Sequence, residues 1–172
     1  MEEALQIRLQ NGRVVFGAVA VNSYFASVLV DFIRHDLVRR RVSFTFETVM
    51  SAHAKVEFFC QAREQGFRTY LYYVATEDPE INVSRVAHRV SMGKHDVPRE
   101  KIVERYHRSL EYLADAVMCS DRAYVFDNST AERVWVAEIT DGADLEMKTD
   151  SMPYWFKTAL LDKLAADEAG QD

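Results

Sequence analysis

The apolar positions change their repeat several times along the chain, and each change marks an element. Val14-Val15-Phe16 through Val21 is a β-branched apolar run, which predicts a strand-like piece. From Tyr24 to Arg41 the period lengthens, and Phe25, Val28, Leu29, Phe32, Ile33 and Leu37 fall on one helical stripe. Phe44 to Met50 then reads as a short strand. Ser51 stands where a side chain can cap a helix running to about Gln65, which Gly66 would end. Tyr70 to Ala75 is a continuous apolar run of the kind found in central strands.

The second half repeats this alternation. Asp78-Pro79 opens a helix anchored by Ile81, Val83, Val86 and Val90 and stopped by Gly93. After a short connector, Val97-Pro98 introduces a longer helix to about Met118. Ala123 to Phe126 is a strand ending at Asp127-Asn128-Ser129, and Val134 to Ile139 is a further strand, expected at an edge. Asp141-Gly142 marks a turn, and Tyr154 to Ala165 predicts a terminal helix. Strands alternating with helices imply an α/β fold with a mostly parallel sheet covered on both faces. No repeat or linker divides the 172 residues, so one domain is expected.

Composition narrows the class further. With 48% hydrophobic and 28% charged residues, six Gly and three Pro, the chain is neither disordered, collagen-like nor a coiled coil. A domain of this length buries roughly 70% of its unfolded surface and needs no staples. Cys60 and Cys119 have no paired-thiol spacing and are expected as buried thiols in a reducing cytosol. No apolar run reaches the roughly 18 to 20 residues that span a bilayer, and Met1-Glu2-Glu3 is the reverse of a basic leader start, so a cytoplasmic location is expected. The net charge of -6 opposes indiscriminate nucleic-acid binding. It conceals a basic stretch, because seven Lys/Arg between Arg85 and Arg108 stand against Asp96, Glu100 and Glu104.

Candidate chemistry gathers at strand ends and in that basic stretch. Ligands of open α/β sheets bind beyond the carboxyl ends of the strands, which singles out Glu47-Thr48 and Asp127-Asn128-Ser129. The same residue types also cap helices and form turns, and that alternative stands beside the functional one. Arg85 and Arg89 share a helix face, as do Arg105 and Arg108 on the next helix. Such like-charged pairs suit an anion, since guanidinium matches phosphate oxygens two at a time. A solvated face balanced by neighbouring acids is the competing reading. A nucleic-acid groove is weaker, because the aromatics are mostly strand residues destined for the core.

His95-Asp96 could act together, but His35, His53, His88 and His107 give no metal-ligand spacing, so no metal site is expected. No nucleophile context occurs either, and no catalytic residue is assigned. Gly12 and Gly17 have the GxxxxG spacing, yet Ala18 and Val19 follow where a phosphate loop needs Lys and Ser/Thr. Gly93-Lys94 fails likewise, with His88 in place of the first glycine and His95 in place of Ser/Thr.

Six segments taken in order resemble a known family. They are Phe44-Thr-Phe-Glu47-Thr48-Val-Met-Ser51, Tyr72-Tyr-Val-Ala-Thr-Glu-Asp-Pro-Glu80, Arg85-Val-Ala-His-Arg89-Val, Gly93-Lys-His95-Asp96-Val-Pro98, Arg105-Tyr-His-Arg108-Ser and Phe126-Asp-Asn128-Ser. Together they resemble the zeta-toxin-like family of P-loop ATPases and kinases over most of residues 22 to 140. The resemblance implies a three-layer P-loop NTPase-like sheet. It also implies ATP and Mg²⁺ as cofactors, phosphate transfer to a small-molecule hydroxyl such as that of the nucleotide sugar UDP-N-acetylglucosamine, and an antitoxin or other protein partner. Carried over by position, Glu47, Thr48, Arg85, Arg89, His95, Asp96, Arg105 and Arg108 would line the substrate and phosphate cleft, and Asn128 the nucleotide. Lys94 departs from the family's second glycine. The larger departure is the lack of the first strand, the Walker A loop and the acidic catalytic segment before Val21. The expectation is therefore a kinase domain without its front, weak or inactive by itself, or a non-catalytic phosphometabolite- or partner-binding remnant. An RNA-binding role through the basic stretch ranks last, and no membrane partner is expected.

Overall fold

The structure, a computed structural model, describes residues 8–11, 13–15 and 22–169 and divides into two compact units, Met1–Phe46 and Glu47–Asp172. In the first unit, β1 (Arg8–Gln10) and β2 (Arg13–Val15) form an antiparallel hairpin with Leu9 opposite Val14. The rest of the expected Val14 to Val21 strand lies outside the described residues. Helix α1 (Ser23–Arg39) follows, and the Asn22 side chain accepts the Phe25 N–H at 2.9 Å as its cap. Asp31 pairs with Arg34 and Asp36 with Arg39 and Arg40, all within a helical turn or just past it. The Arg34 guanidinium lies 4.7 Å from the Phe46 ring centroid.

The second unit is a mixed α/β layer. Its elements are α2 (His53–Glu64), β3 (Tyr70–Ala75), α3 (Pro79–Ser91), α4 (Arg99–Glu111), α5 (Leu113–Met118), β4 (Arg122–Asp127), β5 (Val134–Thr140), β6 (Asp144–Met147) and a terminal helix. That helix comprises α6 (Tyr154–Phe156), a π-helical segment at Lys157–Leu161, and α7 (Asp162–Ala169). The sheet order is β3-β4-β5-β6; β3 runs parallel to β4, and the other two pairings are antiparallel. The expected mostly parallel sheet is thus corrected to one parallel pair in an open four-stranded sheet.

Several local expectations change for identifiable reasons. Phe44 to Met50 is irregular, not a strand: Thr48 Oγ1 accepts the Met50 N–H at 3.1 Å and Met50 adopts φ 54°, a hydroxyl turn that competes with strand pairing. Ser51 does not cap α2, whose N-cap position is Ala52, although Gly66 does follow the helix with φ 85°. Pro79 begins α3 under an Asp78 cap and Gly93 follows it, as expected. The long helix to Met118 divides into α4 and α5 at Tyr112. Tyr70 to Ala75 lies at the sheet margin rather than its centre, and β5 is interior because β6 pairs beyond it. The β5–β6 turn needs Gly142: its φ is 72°, and an added Cβ would come within 3.1 Å of the Met118 backbone.

One sheet face carries the core. Tyr73, Ala75, Ala123, Val125, Val136, Ala137 and Ile139 meet Val56, Leu113, Ala116, Val117, Trp155, Phe156 and Leu160. On the other face Tyr70, Tyr72, Val74 and Trp135 remain exposed, so the expected two-sided cover is also corrected. Val125 pairs with Ala137 but Phe126 pairs with Trp135, which leaves Val136 as a bulge residue and makes Val136 and Ala137 consecutive buried positions.

Cys60 and Cys119 form a disulfide, with 4.9 Å between their Cα atoms. The expectation of two free thiols, and the argument from them to a reducing compartment, therefore fall. The partners are 59 residues apart, on α2 and directly after α5, so no local spacing announces them. Among the described residues no helix is long and apolar enough to cross a membrane. Reducing this bond should lower stability by about 4 kcal/mol in the chain-entropy limit, and the melting temperature by roughly 10 °C. Thermal unfolding with and without a phosphine reductant measures the change, and Cys60→Ser should reproduce the reduced value.

Candidate functional site

The carboxyl ends of β3 and β4 are where a ligand of such a sheet would approach, and hydrogen bonds there are dense. Asp127, only 8% exposed, uses both oxygens: Oδ1 accepts the Ser129 N–H at 2.9 Å, and Oδ2 accepts the Ser129 hydroxyl at 2.9 Å and the Trp155 indole N–H at 2.6 Å. Ser129 Oγ accepts the Glu77 N–H at 2.7 Å, and Asn128 N–H donates to the Ala75 carbonyl at 2.8 Å. These bonds make Asp127 and Ser129 a structural clamp. The turn-forming alternative therefore describes both residues.

The β3–α3 junction is braced in the same manner. Asn82 donates to Thr76 Oγ1 at 2.9 Å, Thr76 donates to the Asp78 carbonyl at 3.1 Å, and Asp78 caps α3 through the Glu80 N–H. From α4, the Tyr106 hydroxyl donates to the Thr76 carbonyl at 2.8 Å, with the Glu77 carbonyl 3.2 Å away. Burial pushes the Tyr106 phenol up to about 12, and the carboxylates of Glu77, Asp78 and Asp127 add to the shift. Burial also raises the Tyr73 phenol, whose oxygen lies 3.0 Å from Ser109 Oγ. Tyr73 and Tyr106 thus bind α4 to the end of β3. Their spacing gives no signal in the sequence, because the two partners lie about thirty residues from the groups they hold.

Around this braced end the predicted residues are distributed unevenly. Helices α3 and α4 pack together. Arg85, half-buried on α3, donates to the Thr130 carbonyl at 3.4 Å, which places it at the β4 end where half-buried Asn128 also sits. Arg89 and Arg105 are exposed on α3 and α4. Arg108 is exposed and pairs with Glu104 at 3.2 Å, while Arg99 pairs with Glu80. Arg85, Arg89 and Arg105 form no ion pair among the described residues. His95 and Asp96 are exposed in the connector between the helices. Glu47 and Thr48 are exposed in the irregular segment before α2, not at a strand end, and no hydrogen bond or ion pair joins them to the arginines among the described residues.

A separate shallow groove of about 520 Å³ runs along β4, β5 and β6, lined by Arg122, Glu138, Thr140, Asp144 and Glu146. Two of its three carboxylates are paired: Glu138 with Arg122 at 2.7 Å, and Glu146 with Lys148 at 2.6 Å. Among the described residues no group of three or more His, Cys, Asp or Glu side chains is placed to hold a metal ion.

Against known proteins, no family model matches the chain and no solved structure does. A relative described as an uncharacterized protein, from Haemophilus influenzae (strain ATCC 51907 / DSM 11121 / KW20 / Rd), is 26% identical over 106 residues, covering 60% of this chain and 69% of its own length.

Two variants separate clamp from chemistry. Asp127→Ala leaves the Trp155 indole and the Ser129 turn without their acceptor and should cost about 3 kcal/mol, read as a lower urea midpoint. Tyr106→Phe should cost about 1 kcal/mol at neutral pH. The raised Tyr106 value means the folded state holds the phenolic proton more tightly than the unfolded one, so its contribution is intact below about pH 10 and lost towards about 12. Urea unfolding from pH 8 to 12 should therefore show a shallower alkaline loss in Tyr106→Phe than in the parent chain.

Proposed function

We propose that the chain is a phosphate-ester-binding module of zeta-toxin-like kinase type, with the α3–α4 arginines gripping the phosphate of a small molecule near the carboxyl end of β4. The observation that carries this reading is the set of unpaired cations: Arg85, Arg89 and Arg105 lack carboxylate partners among the described residues, while Arg99 and Arg108 on the same pair of helices have them. Unpaired guanidinium groups on packed helices repel one another, and an anion between them removes the repulsion while accepting two N–H bonds from each. The position fits as well, since Arg85 reaches the Thr130 carbonyl just beyond Asn128, at the strand end where α/β sheets take ligands.

The resemblance adds the substrate class and the remaining contacts. Glu47, Thr48, His95 and Asp96 would then touch a nucleotide sugar, with Asn128 on a nucleotide, in a P-loop NTPase-like arrangement. ATP and Mg²⁺ belong to the same reading. The residues present do not form a nucleotide cradle, however, because Arg13–Val15 is a hairpin strand and no GxxxxGK[ST] run occurs in the sequence. Weak or absent turnover by the chain in isolation follows. An antitoxin-like protein partner is a further consequence of the resemblance.

Thermal unfolding with inorganic phosphate, UDP-N-acetylglucosamine and MgATP tests the reading. A phosphate-bearing ligand at about 100-fold saturation should add roughly 2.7 kcal/mol, or 5 to 10 °C, without requiring Mg²⁺. Arg85→Ala and Arg105→Ala should abolish the shift while leaving the unliganded transition nearly unchanged. Shifts that survive both substitutions, or no shift with any of the three ligands, would sink the proposal.

A further inference from the structure

Of the aromatic residues of β3, β4 and β5 expected in the core, only Tyr73 is there; the others stand on the uncovered face of the sheet. Tyr70 and Tyr72 on β3, Tyr124 and Phe126 on β4, and Trp135 on β5 share that face by strand alternation and register. Tyr72 stacks on Tyr124 with centroids 4.8 Å apart; Trp135 lies 6.2 Å from Tyr124 and 6.3 Å from Phe126. The surface is accessible, with Tyr72 67% and Trp135 40% exposed. A bond from the Trp135 indole N–H to the Ala137 carbonyl, 3.1 Å, fixes the ring beside the bulge.

Cations are interleaved with these rings. Arg68 lies 5.6 Å from the Tyr70 centroid, Arg133 5.1 Å from Phe126 and Lys148 5.0 Å from Trp135. Lys148 is occupied by Glu138 and Glu146, whereas Arg68 and Arg133 form no ion pair among the described residues. The acids of the face, Glu138, Asp144 and Glu146, gather towards β6. A path along β3 and β4, from Arg68 before one strand to Arg133 beyond the other, therefore runs over aromatic rings with a cation outside any ion pair among the described residues at each end.

Such a surface matches a flexible polyanion whose repeating units have flat π-faces. Bases stack on aromatic side chains while cations track the phosphates, and a strand pair about 20 Å long accommodates a few bases. The tyrosine hydroxyls also supply acceptors for a ribose 2′-hydroxyl, which deoxyribose lacks. We infer that the open β3–β4–β5 face binds single-stranded RNA by base stacking, at a site separate from the α3–α4 arginines. With only two free cations engaged, the affinity should fall gently with salt, with a slope of log K against log salt of about -1.4.

Fluorescence anisotropy of the full chain with a labelled twelve-nucleotide oligouridylate tests this. Expected are saturable binding with the shallow salt slope, at least tenfold loss in Tyr72→Ala and Trp135→Ala, and retention in Tyr72→Phe, which keeps the ring. Arg85→Ala and Arg105→Ala should bind like the parent chain. Circular dichroism melts of each variant establish that it is folded. No binding by the parent chain, or binding that survives loss of the rings but not of the α3–α4 arginines, overturns the inference. So does self-association through the face, seen by sedimentation and abolished by Tyr72→Asp, since a second copy would then be the occupant. Equal affinity for oligothymidylate overturns the assignment to RNA.

Discussion

The parallel pairing of β3 with β4 is the constraint on which the second unit depends, and two aspartates hold it. Forty-six residues separate the strands, so the pair closes a long loop before any ladder bond forms, and its ends need fastening. At the amino end Asp121 accepts the Thr69 N–H at 2.6 Å and its hydroxyl at 3.0 Å. Those bonds, with Arg63 and Arg68 nearby, keep its carboxyl below the usual range despite some burial. At the carboxyl end Asp127 gathers Ser129 and Trp155, and Ser129 passes the connection to Glu77. Each aspartate thus joins the two strands at one end, and Asp127 also ties the terminal helix to the sheet.

From that fastening the two surfaces acquire different chemistry. The helices collect on one face, where small residues such as Ala116, Ala123 and Ala137 bring backbones close to the large Trp155 and Phe156 side chains. The opposite face keeps aromatics in the open, and of the arginines on α3 and α4 that form no ion pair among the described residues, Arg85 reaches the β4 end. As proposed, the aromatic face and the cationic helix pair would be separate recognition surfaces.

Elements with a strong local signal were legible in the sequence. The Asp78-Pro79 start and Gly93 stop of α3, the helical stripe of α1 and the apolar run of β3 all rest on neighbouring residues, and all three elements are present. What eluded the sequence depends on distant partners. Alternation cannot tell which face of Tyr70-Leu-Tyr-Tyr-Val-Ala is buried when both faces are apolar, so Tyr72 was expected in the core. The strand expected at Phe44 to Met50 gave way to a Thr48 turn, and Asp144–Met147 was missed because Asp-Leu-Glu-Met is a poor strand sequence that forms by pairing with β5. Of the candidate site, Arg85 and Asn128 do reach one strand end, while Glu47 and Thr48 lost the strand that was to position them.

The bulge at Val136 has a consequence for how this sheet tolerates change over evolutionary time. A single inserted residue shifts the phase of β5, so that Trp135 and Glu138 both point to the open side although they are three positions apart. Straightening the strand without a deletion would rotate either the indole or the carboxylate through the sheet, whereas deleting one residue between them would restore strict alternation and keep both on the open side. Bulge and length at this point therefore have to change together. Homologous strands should either keep the bulge with its extra residue or lose both together, a pattern that substitution-based measures of importance would overlook.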